Sequence, residues 1–424
     1  TYFAGSFGYL IGKGESVFWA TQIQSSSGNP PQIISNFLFL TAIYYVLVFL
    51  DQKVKKLQIK YFLISLILIG TISAFKIYAG VILLGALSIV GIWQLITKRD
   101  LKLFLLSLAS GIMALAIYLP NSSNTGSFLI YEPWWYIRTM IVEPSRLNLL
   151  DWELRRQTYI YEHNWKRVIW LEGMGFLIFF FGNLGMRALG LWEFVKTKAI
   201  FKIAIILSLT LPLLLLQKGV ASNTSQFLQY FILLFGILSG IATSKLFPTT
   251  KWQALLISPI IFLLMIPTQV RLFKEFYLSE GKLRPAFTKI SSYELEALNF
   301  LKNNTDKDSV IITPPYNQYL NLKKQIPDIW DWFDTSYISA LSSRRTYFDD
   351  YEQVDIMGYD FRPRLKIKEF IFNSEKLEEV KTALKSTNAN ILYYPRIISP
   401  KLNPGDLGLS KLFENSEIII WEIK

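Results

Sequence analysis

The sequence predicts a polytopic α-helical membrane bundle of about eight crossings, followed by a small extracytoplasmic α/β domain. Three observations carry that reading. Apolar residues make up 51% of the 424 and charged residues 18%, against about a quarter charged in a soluble domain. Apolar runs long enough to cross a bilayer, roughly 17 to 25 residues, recur as far as Val270. Beyond Val270 those runs stop, and short helical and strand-like patterns alternate.

The net charge of +12 does not point to nucleic acid. The Lys and Arg residues sit in short stretches between apolar runs, the arrangement that orients membrane proteins. The absence of cysteine excludes disulfides and thiolate metal sites and leaves the redox compartment open. A single histidine excludes a multi-histidine metal centre. Carboxylates can hold a divalent cation without a distinctive spacing, so that is the one cofactor left open. The chain opens on Thr1 with no signal peptide before it, hence the expectation that it starts inside a longer protein.

Residues 1–32 read as an extracytoplasmic loop ending in the turn Asn29-Pro30-Pro31. The bundle occupies residues 33–270. Its apolar runs are Ile33–Leu50, Tyr61–Ile96, Leu101–Leu119, Leu171–Leu189, Ile200–Leu216, Gln226–Thr243 and Trp252–Val270. The second of these spans about 36 residues and is interrupted only by Lys76. A single helix of that length would overshoot the bilayer, whereas two helices folding back at Lys76 fit. Orientation decides between them. The basic stretches Asp51–Lys60, Lys98–Lys102, Trp192–Lys202 and Ser244–Lys251 all fall on the cytoplasmic side only if that run crosses twice. Residues 120–170, 217–225 and 271–424 then lie outside a plasma membrane, together with 1–32.

The large external loop at 120–170 carries Trp134, Trp135, Trp152, Trp165 and Trp170, rings that favour the headgroup layer. Trp134–Val142 and Leu149–Tyr161 are expected to lie as interfacial helices, or simply to anchor the bundle. In the domain at 271–424, Tyr293–Asn303 has helical spacing, and Ser309–Thr313 is a strand ended by Pro314-Pro315. Arg345–Phe348 reads as a strand, Ser374–Ser386 as a helix and Asn390–Tyr394 as a strand. A helix near Leu409–Phe413 and a last strand over Ser416–Ile423 complete a three-layer domain with a mostly parallel sheet. It has no Gly-rich phosphate loop, which argues against a nucleotide site.

Candidate chemistry gathers on the external side. A lone Lys in an apolar stretch is expensive, so Lys76 is either a turn residue snorkelling to the surface or a ligand for a lipid phosphate. Lys218 occupies a similar outer position. Arg138, Arg146, Arg155, Arg156, Lys166 and Arg167 make loop 120–170 basic, suited to an anionic headgroup or a pyrophosphate, or to non-specific contact with phospholipids. His163 can titrate or bind phosphate, or be incidental. A general base needs one well-placed carboxylate; the candidates are Glu15, Glu132 and Asp151, with Glu143, Glu153 and Glu162 in the same loop as the last two.

Several stretches together resemble the GT-C superfamily of membrane glycosyltransferases, which includes protein O-mannosyltransferases and lipid A aminoarabinose transferases. They are Asn29-Pro30-Pro31 before a helix, the turn at Ser73-Ala74-Phe75-Lys76, and Asn223–Gly240 as a late helix. In the C-terminal domain they are Glu296-Ala297-Leu298-Asn299-Phe300-Leu301, Val310-Ile311-Ile312 and Ser339-Ala340-Leu341-Ser342-Ser343-Arg344-Arg345. The resemblance covers most of the chain and is one of layout. It implies transfer of a sugar from a polyprenyl-phosphate carrier to an acceptor lipid, glycan or protein at the extracytoplasmic face. It also implies a catalytic acid in the loop after the first crossing; only residues 1–32 stand in for that region, and Glu15 is not matched to the acid.

Two further readings stay open. A lipid or solute transporter or flippase would place broken helices near the bilayer midplane, commonly in two repeated halves; the sequence shows no internal repeat. A non-catalytic membrane protein with a recognition domain would keep the layout without the acid.

Overall fold

The computed structural model describes residues 29–121, 129–144, 146–217, 221–246, 286–317, 326–356 and 359–423, with isolated positions between 252 and 283. They fall into two compact units, one reaching Leu283 and the other beginning at Arg284.

The first unit is a helical bundle. Pro30 opens α1 (Pro30–Asp51), where its missing N–H costs nothing and its fixed φ suits the helix. Lys76 alone separates α2 (Lys55–Phe75) from α3 (Ile77–Lys98). The Lys76 N–H still bonds Ile72 O at 3.0 Å, but its ψ of 111° ends one helix and redirects the next. The two fold back on each other. A Cβ added at Gly80 would lie 3.0 Å from Ser73 Cβ, whereas residues seven apart in one straight helix are roughly 10 Å apart along its axis. After the left-handed residue Arg99 (φ 54°), α4 (Lys102–Tyr118) returns along α3. Gly91 permits that approach, since a Cβ there would meet Phe104 N at 2.8 Å.

A short strand, β1 (Leu129–Tyr131), leads into α5 (Trp135–Val142), α6 (Leu150–Tyr161) and α7 (Trp165–Leu184). Then come α8 (Ala199–Leu214), β2 (Leu215–Gln217) and α9 (Gln226–Leu246). Exposed apolar side chains such as Phe37, Leu63, Ile67, Ile92 and Ile112 stud the outside of the helices. Helices apolar on the outside as well as the inside are the form a bilayer requires.

The fold class is the one the sequence predicts, with fewer crossings. Among the described residues, five segments are long and apolar enough to span: α1, α2, α3, Trp165–Phe194 and Asn223–Lys245. The apolar helices α4 and α8 are shorter, at 17 and 16 residues. Most of Trp252–Val270 lies outside the described residues. α8 stops early because Leu215–Gln217 leave it to pair antiparallel with Leu129–Tyr131. That ladder satisfies backbone groups that would otherwise be stranded among apolar side chains.

Trp134–Val142 is not the surface-lying helix expected of it. Trp135, Tyr136, Ile137, Met140 and Ile141 of α5 are buried, and Tyr136 packs edge-on against Phe179 of α7 at 5.4 Å. α6, in contrast, buries none of its residues. At one end of the bundle Asp51 meets Lys198 at 2.8 Å, and Glu193 meets Lys245 at 2.7 Å. Three of the four basic stretches therefore gather together.

The second unit is a three-layer α/β domain. Its strands are β5 (Val310–Ile312), β6 (Arg345–Thr346), β7 (Ile391–Pro395), β8 (Ser410–Glu414) and β9 (Ile418–Glu422); β3 (Leu278–Ser279) and β4 (Lys282–Leu283) form a separate hairpin in the first unit. The order is β6-β5-β7-β9-β8. One face packs Ile311, Ile391 and Tyr393 against Leu298 and Leu301 of α10 (Ser292–Asn304). The other packs Ile312, Leu392 and Tyr394 against Ile371 and Val380, in α11 (Arg362–Asn373) and α12 (Leu377–Ser386). Neighbours along β7 thus alternate between two cores, as the period of two dictates.

Two expectations are corrected here. β6, β5 and β7 are parallel, but β7–β9 and β9–β8 are antiparallel, so the sheet is mixed. Leu409–Phe413 is not a helix; Ser410–Phe413 lie in β8, which pairs with β9 across a tight turn at Asn415 with a register shift between Lys411 and Phe413. The short apolar pattern there suits either element, and pairing with β9 decides it.

Candidate functional site

The polar residues of the first unit converge where α2 turns into α3 and α9 begins. Lys76 Nζ donates to Gln226 Oε1 at 2.7 Å, and Gln226 Nε2 donates to Asn223 Oδ1 at 3.4 Å. Tyr78, the second residue of α3, donates to the buried Gln217 at 2.7 Å. Ser35 of α1 and Tyr230 of α9 share a hydrogen bond of 2.7 Å. The β1–β2 ladder positions the next layer: Trp134 N bonds Leu213 O at 2.7 Å, and Trp135 Nε1 bonds Leu215 O at 3.0 Å.

Tyr136 follows from that ladder. Fully buried, its hydroxyl lies near Ser225, immediately before α9, and within reach of the Arg146 charge. Burial pushes the Tyr136 hydroxyl well above its ordinary pKa, and the Arg146 charge and the nearby Ser225 hydroxyl draw it part of the way back. Arg146 is only 3% exposed. Burial lowers its guanidinium to about 10, opposed by the charges of Tyr136 and Glu143. It is therefore still cationic at neutral pH.

One sequence-predicted residue, Lys76, thus bonds the first residue of α9, and a second, Arg146, acts on the buried Tyr136 whose hydroxyl lies near Ser225. The dipole at the start of a helix of 21 residues favours anions. The half-buried Lys76 ammonium bonded to its first residue adds a charge-assisted donor.

The other candidates lie elsewhere. Arg138 bonds Pro133 O and faces Glu132 at 3.7 Å, and its charge also acts on Glu153. Arg156 holds Glu153 at 2.6 Å and reaches Glu172 at 3.4 Å, and that bond from Arg156 keeps the Glu153 carboxyl below its usual range. Arg138 and Glu132 belong to this compensated network. Asp151 is exposed in the first turn of α6. His163 sits exposed in a left-handed conformation (φ 53°) at the turn between α6 and α7, its ring 6.4 Å from that of Trp165. Glu15 and Lys218 lie outside the described residues. Among the described residues, no three carboxylate or histidine groups converge in a geometry that would hold a metal ion.

Sequence reasoning passed over Tyr78, Tyr136, Gln217, Ser225 and Gln226. The signal was present in part: Gln217 and Gln226 flank apolar runs, and Ala221-Ser222-Asn223-Thr224-Ser225 is a helix-start composition. What joins them is the return of α9 past the α2–α3 turn, a contact 150 residues long in sequence.

No protein-family model and no curated protein matches the sequence. Among solved structures, the chain is similar to the crystal structure of the Archaeoglobus fulgidus oligosaccharyltransferase in complex with Zn and sulfate. Identity is 15% and the TM-score 0.42, and the match covers 86% of this chain and 49% of the other. The chain spans about half the length of that protein.

Proposed function

We propose that the chain is a membrane glycosyltransferase, or the C-terminal part of one, acting on a polyprenyl-phosphate sugar at the extracytoplasmic face of a plasma membrane. The observation that carries this is the Lys76 ammonium bonded to the first residue of α9, with the Arg146 charge acting on Tyr136 nearby, at the end of the bundle to which α2 and α3 turn away from the basic stretches. By the positive-inside rule that end is extracytoplasmic, and residues 271–424 belong on the same side.

In this reading Lys76 and Arg146 hold the donor phosphate near the start of α9. As the bond from the sugar C1 to the phosphate oxygen breaks, negative charge grows on the departing lipid phosphate, and those donors stabilise it. The acceptor hydroxyl attacks C1 while a carboxylate takes its proton. Glu132, Asp151 and Glu15 are the candidates for that base. Glu143 joins them, because its charge acts on Arg146.

Full-length protein in nanodiscs, given a radiolabelled polyprenyl-phosphate hexose and a panel of lipid, glycan and peptide acceptors, tests the proposal. Transfer that depends on Lys76 and Arg146 supports it. Binding without transfer points to a recognition protein, and flux across proteoliposomes without covalent transfer points to a transporter. Neither binding nor transfer sinks the reading.

A further inference from the structure

The second unit contains a cavity of about 50 Å³ at the C-terminal ends of its three parallel strands. Thr313 follows β5, Asp349 follows β6 and Pro395 ends β7. The chain leaves β5 for β6 on one side and later enters β7 on the other, so β5 is a topological switch point. Crevices at that place in an open α/β sheet are where ligands bind.

The charge of the lining is one-sided. Asp331, Asp334 and Asp349 line the cavity, and among the described lining residues there is no Lys, Arg or His. The nearby cation, Lys368, has no proton to spare. Its ammonium group donates to Thr313 Oγ1 at 2.9 Å, Phe348 O at 2.6 Å and Asp349 Oδ1 at 3.1 Å. The Asp349 side chain is only 7% exposed. Its Oδ1 also accepts from Thr313 at 2.8 Å, while its Oδ2 has no hydrogen-bond partner among the described residues. A buried acceptor left in that condition costs stability unless a ligand supplies a donor. The remaining wall is aromatic: Tyr316, Trp330 and Phe333. Ring faces attract cations.

We propose that this cavity binds a primary ammonium group, carried by a small free amine or by a lysine-type side chain. An anion would meet three carboxylates, and a neutral hydroxyl would offer Asp349 Oδ2 a donor without the positive charge that an acidic lining favours. An ammonium group offers three donors and the opposite charge in a volume that size admits. This binding is independent of sugar transfer, so either can fail without the other.

Saturation-transfer NMR on the full-length protein in nanodiscs at pH 7.5 reads the binding, with n-butylammonium chloride, Nα-acetyl-lysine amide and n-butanol as probes. The expected result is that one or both ammonium probes bind at least tenfold more tightly than butanol. Preference for butylammonium assigns a free amine, and preference for the lysine amide a peptide-borne one. Asp349→Asn should weaken binding at least tenfold. Because that variant also disturbs the Lys368 pair and can misfold, Asp334→Asn, placed in the lining away from Lys368, is the second arm and should weaken it severalfold. Equal binding of butanol and butylammonium overturns the proposal. So does the absence of ammonium binding to monodisperse protein, or binding unchanged by Asp334→Asn and by folded Asp349→Asn.

Discussion

Lys76 Nζ lies 2.7 Å from Gln226 Oε1, tying the single-residue break between α2 and α3 to the first residue of α9. An apolar stretch interrupted by one Lys thereby becomes a hairpin whose apex is held by a distant helix. The bond explains how an ammonium group is accommodated beside apolar helices: a partner and a helix terminus are already in place.

The hairpin makes an orientation prediction. The chain has no cysteine, so single cysteines report cleanly. In intact cells, Phe75→Cys should react with a membrane-impermeant maleimide, and Lys196→Cys only after permeabilisation. The reverse pattern would invert the bundle.

Lys76→Met should weaken binding of polyprenyl-phosphate lipids about tenfold or more, since hydrogen bonds to charged groups contribute about 1.5–3 kcal/mol. Lys76→Arg should retain much of the affinity. Lipid pull-down from nanodiscs against a polyprenol lacking phosphate checks this; equal affinity of Lys76→Met and wild type for the phosphate lipid would remove Lys76 from the site.

Glu294 makes the second unit sensitive to pH. Burial raises its carboxyl from 4.5 to about 7, although bonds from Tyr337 and Tyr393 pull it down and the charges of Asp328 and Glu417 push it further up. The folded state therefore holds this proton more tightly than the unfolded state does. The associated stability is complete below pH 4.5 and is lost as pH rises through 7, by roughly 3 kcal/mol in all. Glu294→Gln keeps an acceptor for Tyr337 Oη at 2.5 Å and Tyr393 Oη at 3.1 Å while removing the titration. Unfolding of the second unit in the intact protein, followed from pH 4.5 to 8, should slope downward in wild type and lose most of that slope in the variant.

The Lys368–Asp349 pair, 3.1 Å apart and buried at both ends, should respond asymmetrically to substitution. Lys368→Met strands a buried carboxylate and should cost about 3–5 kcal/mol. Adding Asp349→Leu to that variant should recover much of the loss. Chemical denaturation of the two variants measures the coupling, and equal losses in both would show the pair to be passive.

Much of the bundle was legible because its signals are local. Apolar runs, Pro30 and the basic stretches each act over one helix length, and Lys76 marked its own turn. The early end of α8 was not legible: Leu215 and Leu216 are as apolar as the helix before them, and only pairing with Leu129–Tyr131 pulls Leu215–Gln217 into a strand. α5 was misjudged for a related reason. Aromatic residues such as Trp135 and Tyr136 suit a headgroup layer or a packed core equally, and Phe179 decides between them. In the second unit, Leu409–Phe413 took its conformation from β9 rather than from its own residues.

The sequence by itself determined that this is a membrane bundle joined to an α/β domain, and which loops carry the positive charge. It also singled out Lys76, because a cation within an apolar stretch is conspicuous in one dimension, and named Arg146 among the basic residues of loop 120–170. Only the tertiary structure decided that Lys76 bonds the first residue of α9, that Arg146 acts on the buried Tyr136, and that Asp331, Asp334 and Asp349 line one cavity. Such convergence depends on side chains from separate elements lying a few ångströms apart. Those contacts arise from packing between distant segments, and no local pattern records them.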